Sequence, residues 1–284
     1  MDVIRVPHVV QNTCSSLRQK GKSVGAVFTM GALHAGHMSL IDNARRENDF
    51  TVASVFVNPT QFGPNEDLDA YPRDYEGDAL KLRTAGIDLL FQPTDEAMYR
   101  PGALTTVSVG ELGSRLCGAF RPAHFQGVAT VVAKLLNITQ CTRAYFGQKD
   151  FQQVRVIEQI VRDLNMPVEI VRCPIFREQD GLAMSSRNAY LTPEERSAAP
   201  ILHKTLAEGA AMLKAGRNPM EVEQAMHKAL KKAPLVAEVQ YAGVFDPESL
   251  EVLKEIPTTG NNGSALLAGA IMIGSTRLID NVLV

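Results

Sequence analysis

The chain has no excess of basic charge. Its 284 residues carry 29 Lys+Arg against 31 Asp+Glu, whereas a duplex-binding domain shows a clustered basic surplus. Nucleic acid is therefore not an expected partner. Long apolar runs are missing as well. Met1-Asp2-Val3-Ile4-Arg5-Val6-Pro7 has no hydrophobic stretch after its basic residue, and no uninterrupted apolar run elsewhere reaches bilayer length. The expectation is a soluble, cytoplasmic protein with no membrane partner. Cysteine is scarce and scattered: Cys14, Cys117, Cys141 and Cys173 form no CxxC pair, which argues against a zinc cage or a disulfide framework and for buried thiols. No internal repeat or low-complexity tract is visible. Two common nucleotide fingerprints, GxxxxGK[ST] and GxGxxG, are also absent.

What is present alternates. Val24-Gly25-Ala26-Val27-Phe28 is short, apolar and strand-like, Met38, Leu40, Ile41 and Ala44 then recur at helical spacing, and 51–57 is a second apolar run. This is one βαβ unit, with a right-handed crossover and parallel strands. A helix over 74–84 leads into a strand at 87–91, a helix over 127–136 into a strand at 144–146, and a helix over 151–164 into a strand at 168–171. Such repetition predicts an α/β fold built on a doubly wound parallel sheet, covered on both faces. After Arg187 the texture changes. Thr192-Pro193-Glu194-Glu195 starts a helix whose apolar face continues through Ile201, Leu202, Leu206 and Leu213. Another helix spans 219–232, and β-like stretches lie near 236–245, 250–256 and 265–274. The predicted division is residues 1–175 and a smaller α+β domain at 176–284, able to close over the first.

The most informative segment is Met30-Gly31-Ala32-Leu33-His34-Ala35-Gly36-His37, which sets two imidazoles three residues apart just after an apolar strand. His37 falls near a helix N-terminus, where unpaired N–H groups and the dipole favour an anion, and Gly31 and Gly36 let the backbone approach a ligand. This is a phosphate site in outline. A second cluster, Asp180-Gly181-Leu182-Ala183-Met184-Ser185-Ser186-Arg187, offers two hydroxyls and a guanidinium suited to a polyphosphate. Alone it is a weak signal for which a solvated loop is the better reading, and the first segment is what strengthens it.

Phe146-Gly147-Gln148-Lys149-Asp150-Phe151-Gln152-Gln153 lies at a strand end, where ligands of open α/β sheets collect. Lys149 can meet a phosphate, and its charge is disfavoured at a helix start without an anion. Asp150 can accept from a ribose hydroxyl or merely cap the helix, and Gln153 can bond a polar substrate. In Val57-Asn58-Pro59-Thr60-Gln61-Phe62, Gln61 suits a ligand bearing hydroxyls and a carboxylate, but Asn58 and Gln61 fit equally as turn residues. His124, in Arg121-Pro122-Ala123-His124-Phe125-Gln126-Gly127-Val128, reads as structural rather than catalytic.

Together these segments resemble the pantoate–β-alanine ligase (pantothenate synthetase) family of the HIGH-motif nucleotidylyltransferase superfamily. Its pattern runs TMGALHxGH, FVNPxQF, EDxxxYPR, RPxHFxGVxTVVxKL, FGxKDxQQ and DGLAxSSRNxYL, all found here in order from Thr29 to Leu191. The terminal Arg277-Leu278-Ile279-Asp280-Asn281 also looks familiar. Phe28, where the family often has proline, and Gln148, where glutamate is common, are departures. The resemblance implies a Rossmann-like nucleotide-binding domain with a C-terminal lid, and a two-step reaction through pantoyl adenylate with ATP as substrate and Mg2+ beside it. By that likeness, catalytic His34 and His37 contact ATP phosphates, with Lys149, Ser185, Ser186 and Arg187 closing the cage. Met30, Gly31, Ala32, Leu33, Ala35 and Gly36 then line the ATP site, and Gly147, Gln148, Asp150, Phe176 and Met184 lie about ribose and adenine. Gln61 and Gln153, with Met30 and Asn58 beside them, hold pantoate and β-alanine. No metal ligand is assigned, since Asp78 aligns only loosely. A homodimer is implied too. Whether His37 donates a proton or acts only electrostatically stays open.

Overall fold

Both faces of a fully parallel sheet are buried, and its strands accordingly read as continuous apolar runs rather than alternating ones. The chain is described from a computed structural model that covers residues 1–64, 66–256 and 265–284. Strands β1 (Asp2–Ile4), β2 (Val24–Thr29), β3 (Phe50–Val55), β4 (Leu89–Phe91), β5 (Arg143–Gly147) and β6 (Glu169–Cys173) pair in the order β1-β4-β3-β2-β5-β6. Every pairing is parallel. The predicted α/β sheet is the one found.

Alternation sorts the side chains between two cores. Val24, Ala26, Val52, Leu89, Phe91, Ala144 and Phe146 pack on one face with the helices Pro7–Gln19, His124–Thr139 and Phe151–Asp163. Val27, Ala53, Val55, Leu90 and Tyr145 pack on the other with Ala35–Glu47 and Tyr75–Thr84. Burying one such aliphatic side chain stabilises by about 1.5–3 kcal/mol, so these two layers dominate the stability of the sheet. The winding reverses between β2 and β5, the switch point beside which open sheets bind ligands. Burial pushes the Cys14 thiol up to about 12 and Cys141 to about 11, as inert packing groups.

The described residues fall into two compact units. One comprises Met1–Ser114, Arg121–Gly147 and Gln153–Pro174, the other Arg115–Phe120, Gln148–Gln152 and Ile175–Val284. The sequence reading placed 115–120 and 148–152 in the first part, so Lys149 belongs instead to the unit that carries Ser185, Ser186 and Arg187. In the second unit β7 (Val236–Phe245), β8 (Leu266–Ile273) and β9 (Thr276–Leu283) form an antiparallel sheet in that order. The helices Ile201–Lys214 and Pro219–Lys232 cover it through Leu202, Leu206, Val222 and Met226.

Four local expectations need correction. The helix begun at Thr192 ends at Ala198 and a second starts at Ile201, because Pro200 lacks the N–H that would carry it through. The stretch 250–256 is no strand: Leu250 is left-handed (φ 59°), and the Asp246 carboxylate accepts from the Glu248 and Ser249 N–H groups in a tight turn. The third strand is β9, reached from β8 by a two-residue turn at Gly274 and Ser275. Finally, β1 and the helix Pro7–Gln19 precede the first unit that the apolar pattern revealed.

Candidate active site

The segment after β2 folds as a short loop and then a helix N-terminus. Gly31 (φ 88°) and Ala32 (φ 50°) turn the chain through left-handed conformations, and His34 becomes the N-cap of Ala35–Glu47. The two imidazoles form a reciprocal cap. His37 Nδ1 accepts from the His34 N–H at 3.4 Å, the His34 ring serves the N–H of His37, and the ring centroids lie 4.0 Å apart. Acceptance at Nδ1 places the proton of neutral His37 on Nε2. Both rings are half-buried and gather where backbone N–H groups and the dipole favour an anion.

A residue outside the motif holds this loop. Asp78, 1% exposed, accepts from the Ala32 N–H and the Leu33 N–H, each at 2.8 Å, while Lys81 Nζ donates to the Leu33 carbonyl at 2.8 Å. A Cβ on Gly31 would stand 3.0 Å from Asp78 Oδ2, so the glycine serves both the turn and the close approach of this carboxylate. In the sequence Asp78 stands only as a loosely aligned candidate for a metal ligand, and its clasp on this loop leaves no signal there, because an acid in a helix's first turn needs no further explanation.

Gln61 is held on every side. Its Nε2 reaches the Met30 sulfur at 2.8 Å, its Oε1 accepts from Asn58 Nδ2 at 3.1 Å, and its carbonyl faces His124 Nδ1 at 2.8 Å and Arg121 Nη2 at 3.4 Å. Asn58, almost wholly buried, also donates to the Gly127 carbonyl and accepts from Tyr99 Oη and Thr60 Oγ1. Its amide is thereby saturated within the chain, which makes it the support of Gln61. Gly127 is required there, since a Cβ would lie 2.3 Å from the Thr60 carbonyl oxygen. Arg121 pairs with Glu66 at 2.6 and 2.5 Å; burial raises that carboxyl, and the guanidinium more than reverses it, leaving it below its usual range. Gln153 is half-buried on the helix Phe151–Asp163, and Gly147 closes β5.

In the second unit Lys149 and Ser185 line one small cavity of about 20 Å³, together with Asn188, His203, Arg277 and Asp280. Lys149 Nζ lies 3.7 Å from Asp150 Oδ1. Ser185 caps the turn Ser186–Tyr190 by accepting from the Arg187 N–H at 3.3 Å, and Met184 and Phe176 are joined by a backbone hydrogen bond. Asp280, 4% exposed, takes both nitrogens of Arg177 at 2.6 and 3.0 Å, with His203 Nδ1 at 3.5 Å. Burial alone would push this carboxyl up, but the hydrogen bonds from His203 and Arg177 outweigh it and the pKa lies below the ordinary value. A depressed folded pKa stabilises above the unfolded pKa, about 3.9, and that contribution drains away as pH falls through the folded value. The urea midpoint is therefore expected to fall between pH 5 and 3. The gap between the native chain and Arg177→Gln should narrow over the same range; a gap independent of pH would contradict this pairing.

An imidazole-bearing loop at the switch point of a doubly wound sheet, with no P-loop, defines an α/β enzyme of the HIGH-motif nucleotide-using class. The profile of one family within it, described as pantoate-beta-alanine ligase, matches residues 2–283, and the chain belongs to that family of AMP-forming acid–amino-acid ligases. It is 52% identical over 284 residues to a pantothenate synthetase of Thermodesulfovibrio yellowstonii, covering 100% of both chains. It is 50% identical over 283 residues to one of Moorella thermoacetica, covering 99% of this chain and 98% of that relative. A pantothenate synthetase structure from Thermus thermophilus superposes with a TM-score of 0.92 at 45% identity, covering 100% of this chain and 99% of that one. A pantoate–β-alanine ligase from Francisella tularensis, solved in complex with β,γ-ATP and β-alanine, gives 0.78 at 34% identity, with 100% and 97% covered.

Proposed function

We propose that the chain condenses (R)-pantoate with β-alanine to pantothenate in two steps, with the residues above in defined roles. A pantoate carboxylate oxygen attacks the α-phosphorus of ATP, the bond from that phosphorus to the bridging oxygen breaks, and pyrophosphate leaves. The β-alanine nitrogen then attacks the acyl carbon of pantoyl adenylate and gives up a proton, and AMP leaves as the amide forms. The single observation that carries the site reading is the reciprocal His34–His37 cap, two imidazoles fixed at a helix N-terminus beside the switch point.

In this reading His34 and His37 stabilise charge as pyrophosphate departs, and Lys149, Ser185, Ser186 and Arg187 grip the same phosphates. Positioning and electrostatics supply the acceleration, without a covalent enzyme intermediate. Gln61, pinned by Met30 and Asn58, and Gln153 bind pantoate. Gly147, Gln148, Asp150, Phe176 and Met184 serve the nucleoside. Magnesium would ride on the ATP phosphates and keep most of its waters. Both Asp78 oxygens already accept backbone N–H groups, and among the described residues no three His, Cys, Asp or Glu side chains gather to hold a metal. The C-terminal unit acts as a lid that keeps water from the adenylate. The chain works as a homodimer in the cytoplasm; no helix among the described residues is long and apolar enough to cross a membrane.

The test is exchange of labelled pyrophosphate into ATP. It should require pantoate and proceed without β-alanine. Exchange at the same rate without pantoate would overturn the two-step reading.

A further inference from the structure

The terminal motif Arg277-Leu278-Ile279-Asp280-Asn281 has no role in the reading above, yet it ends in one of the most engaged amides of the molecule. Asn281, 2% exposed on β9, donates both hydrogens of Nδ2 to main-chain carbonyls, to Gln148 at 2.9 Å and Lys149 at 3.0 Å. Its Oδ1 accepts from Gln148 Nε2 at 3.2 Å. Two carbonyl oxygens converge on one side-chain atom, so that atom must be the NH2 group, and an oxygen there would be repelled by both.

Asn281 is itself anchored. Its N–H donates to Asp280 Oδ1 at 2.7 Å, and Asp280 is clasped by both Arg177 nitrogens. Arg177 Nη1 also donates to the Gly181 carbonyl at 3.0 Å, and the Arg177 backbone bridges that of Ala183, two residues before Ser185. One strand end thus ties down two loops. The first carries Lys149 and the second carries Ser185, Ser186 and Arg187, and side chains of Lys149, Ser185 and Asp280 share one cavity wall.

We propose that Asn281, oriented by Asp280 and Arg177, is a positioning residue that fixes the main chain of Lys149 in register with the Ser185–Arg187 loop. The proposal rests on the reading that Lys149 acts on ATP. Lysine has four rotatable bonds and an unshaped charge, so its aim depends on its anchored end. A catalytic charge displaced by about 1 Å loses much of its effect, and a supporting shell prevents that.

The experiment measures Asn281→Ala, Lys149→Ala and the double variant in pantoate-dependent pyrophosphate exchange, and supplies pantoyl adenylate to read the β-alanine step separately. Asn281→Ala is expected to lower kcat for exchange by about 10-fold or more and to raise KM for ATP, with KM for β-alanine unchanged. In the Lys149→Ala background the same substitution should change kcat less than about twofold, roughly the limit of independent additivity, because its effect passes through the lysine. A folded Asn281→Ala enzyme with native kcat and KM for ATP would overturn the proposal, and so would effects that multiply in the double variant. If Asn281→Ala does not fold, Arg177→Gln carries the same test, since it keeps the amide and loosens its anchor. Unchanged exchange in Lys149→Ala would instead refute the reading of Lys149, an outcome visible in that single variant.

Discussion

Replacing His37 with alanine is expected to slow pantoate-dependent pyrophosphate exchange by about 10²–10³-fold, roughly 3–4 kcal/mol of transition-state stabilisation. The residue stands in the first turn of a helix, its ring centroid 4.0 Å from that of His34 and tilted 30° to it, where the helix terminus already favours an anion. Charge grows on the leaving pyrophosphate only as the bond to the α-phosphorus breaks. A preorganised donor there therefore acts on the transition state more than on bound ATP. ATP affinity in a binding titration should accordingly change far less than kcat, and an equal loss in both would assign His37 to ground-state binding. His37→Gln separates the two chemical roles. An amide keeps an N–H donor but delivers no proton at neutral pH, so substantial recovery by glutamine supports electrostatics, and activity as low as that of alanine supports proton donation.

Asp78→Ala is expected to act on both stability and turnover. The carboxylate is buried and accepts two backbone N–H groups at 2.8 Å, and hydrogen bonds to a charged group are worth about 1.5–3 kcal/mol each. Loss of about 3 kcal/mol in urea unfolding is anticipated, and exchange should fall by about 10-fold or more as the loop of Met30 to His34 loses its anchor. Asp78→Asn keeps the shape but turns an NH2 group toward one of the donors, so it should recover neither property. Native exchange in a well-folded Asp78→Asn enzyme would show that the loop holds its form without this clasp.

Much of the first unit was legible because its signals are local. Apolar runs bounded by glycine and proline predict strands, 3.6-residue periodicity predicts the helices between them, and chirality then dictates parallel pairing. The helix 219–232 was read to the residue, with Asn218 accepting from the Met220 N–H as its cap. The failures were local contests lost to other forces. Pro200 broke a helix whose apolar face ran on, and the Asp246 turn folded back a stretch that had the composition of a strand. For β9 the sequence alternates too weakly, and pairing with β8 is what makes it a strand.

The site divides along the same line. The proposed roles of the imidazole pair, Lys149 and Ser185-Ser186-Arg187 rest on signals visible in the sequence, residue type and position after a strand. Their supports are not visible there. Asp78 reaches its loop from 45 residues away, and Asn281 reaches the Gln148 carbonyl across 133. Nothing in a one-dimensional pattern distinguishes such an acid or amide from a solvated one, since the distinction is a hydrogen bond that exists only when distant segments are packed. The sequence by itself determined the parallel sheet and the family, because these follow from periodicity, handedness and motif spacing. Only the tertiary structure decided which polar groups are spent on holding the site and which unit carries Lys149, because burial and long-range pairing set both.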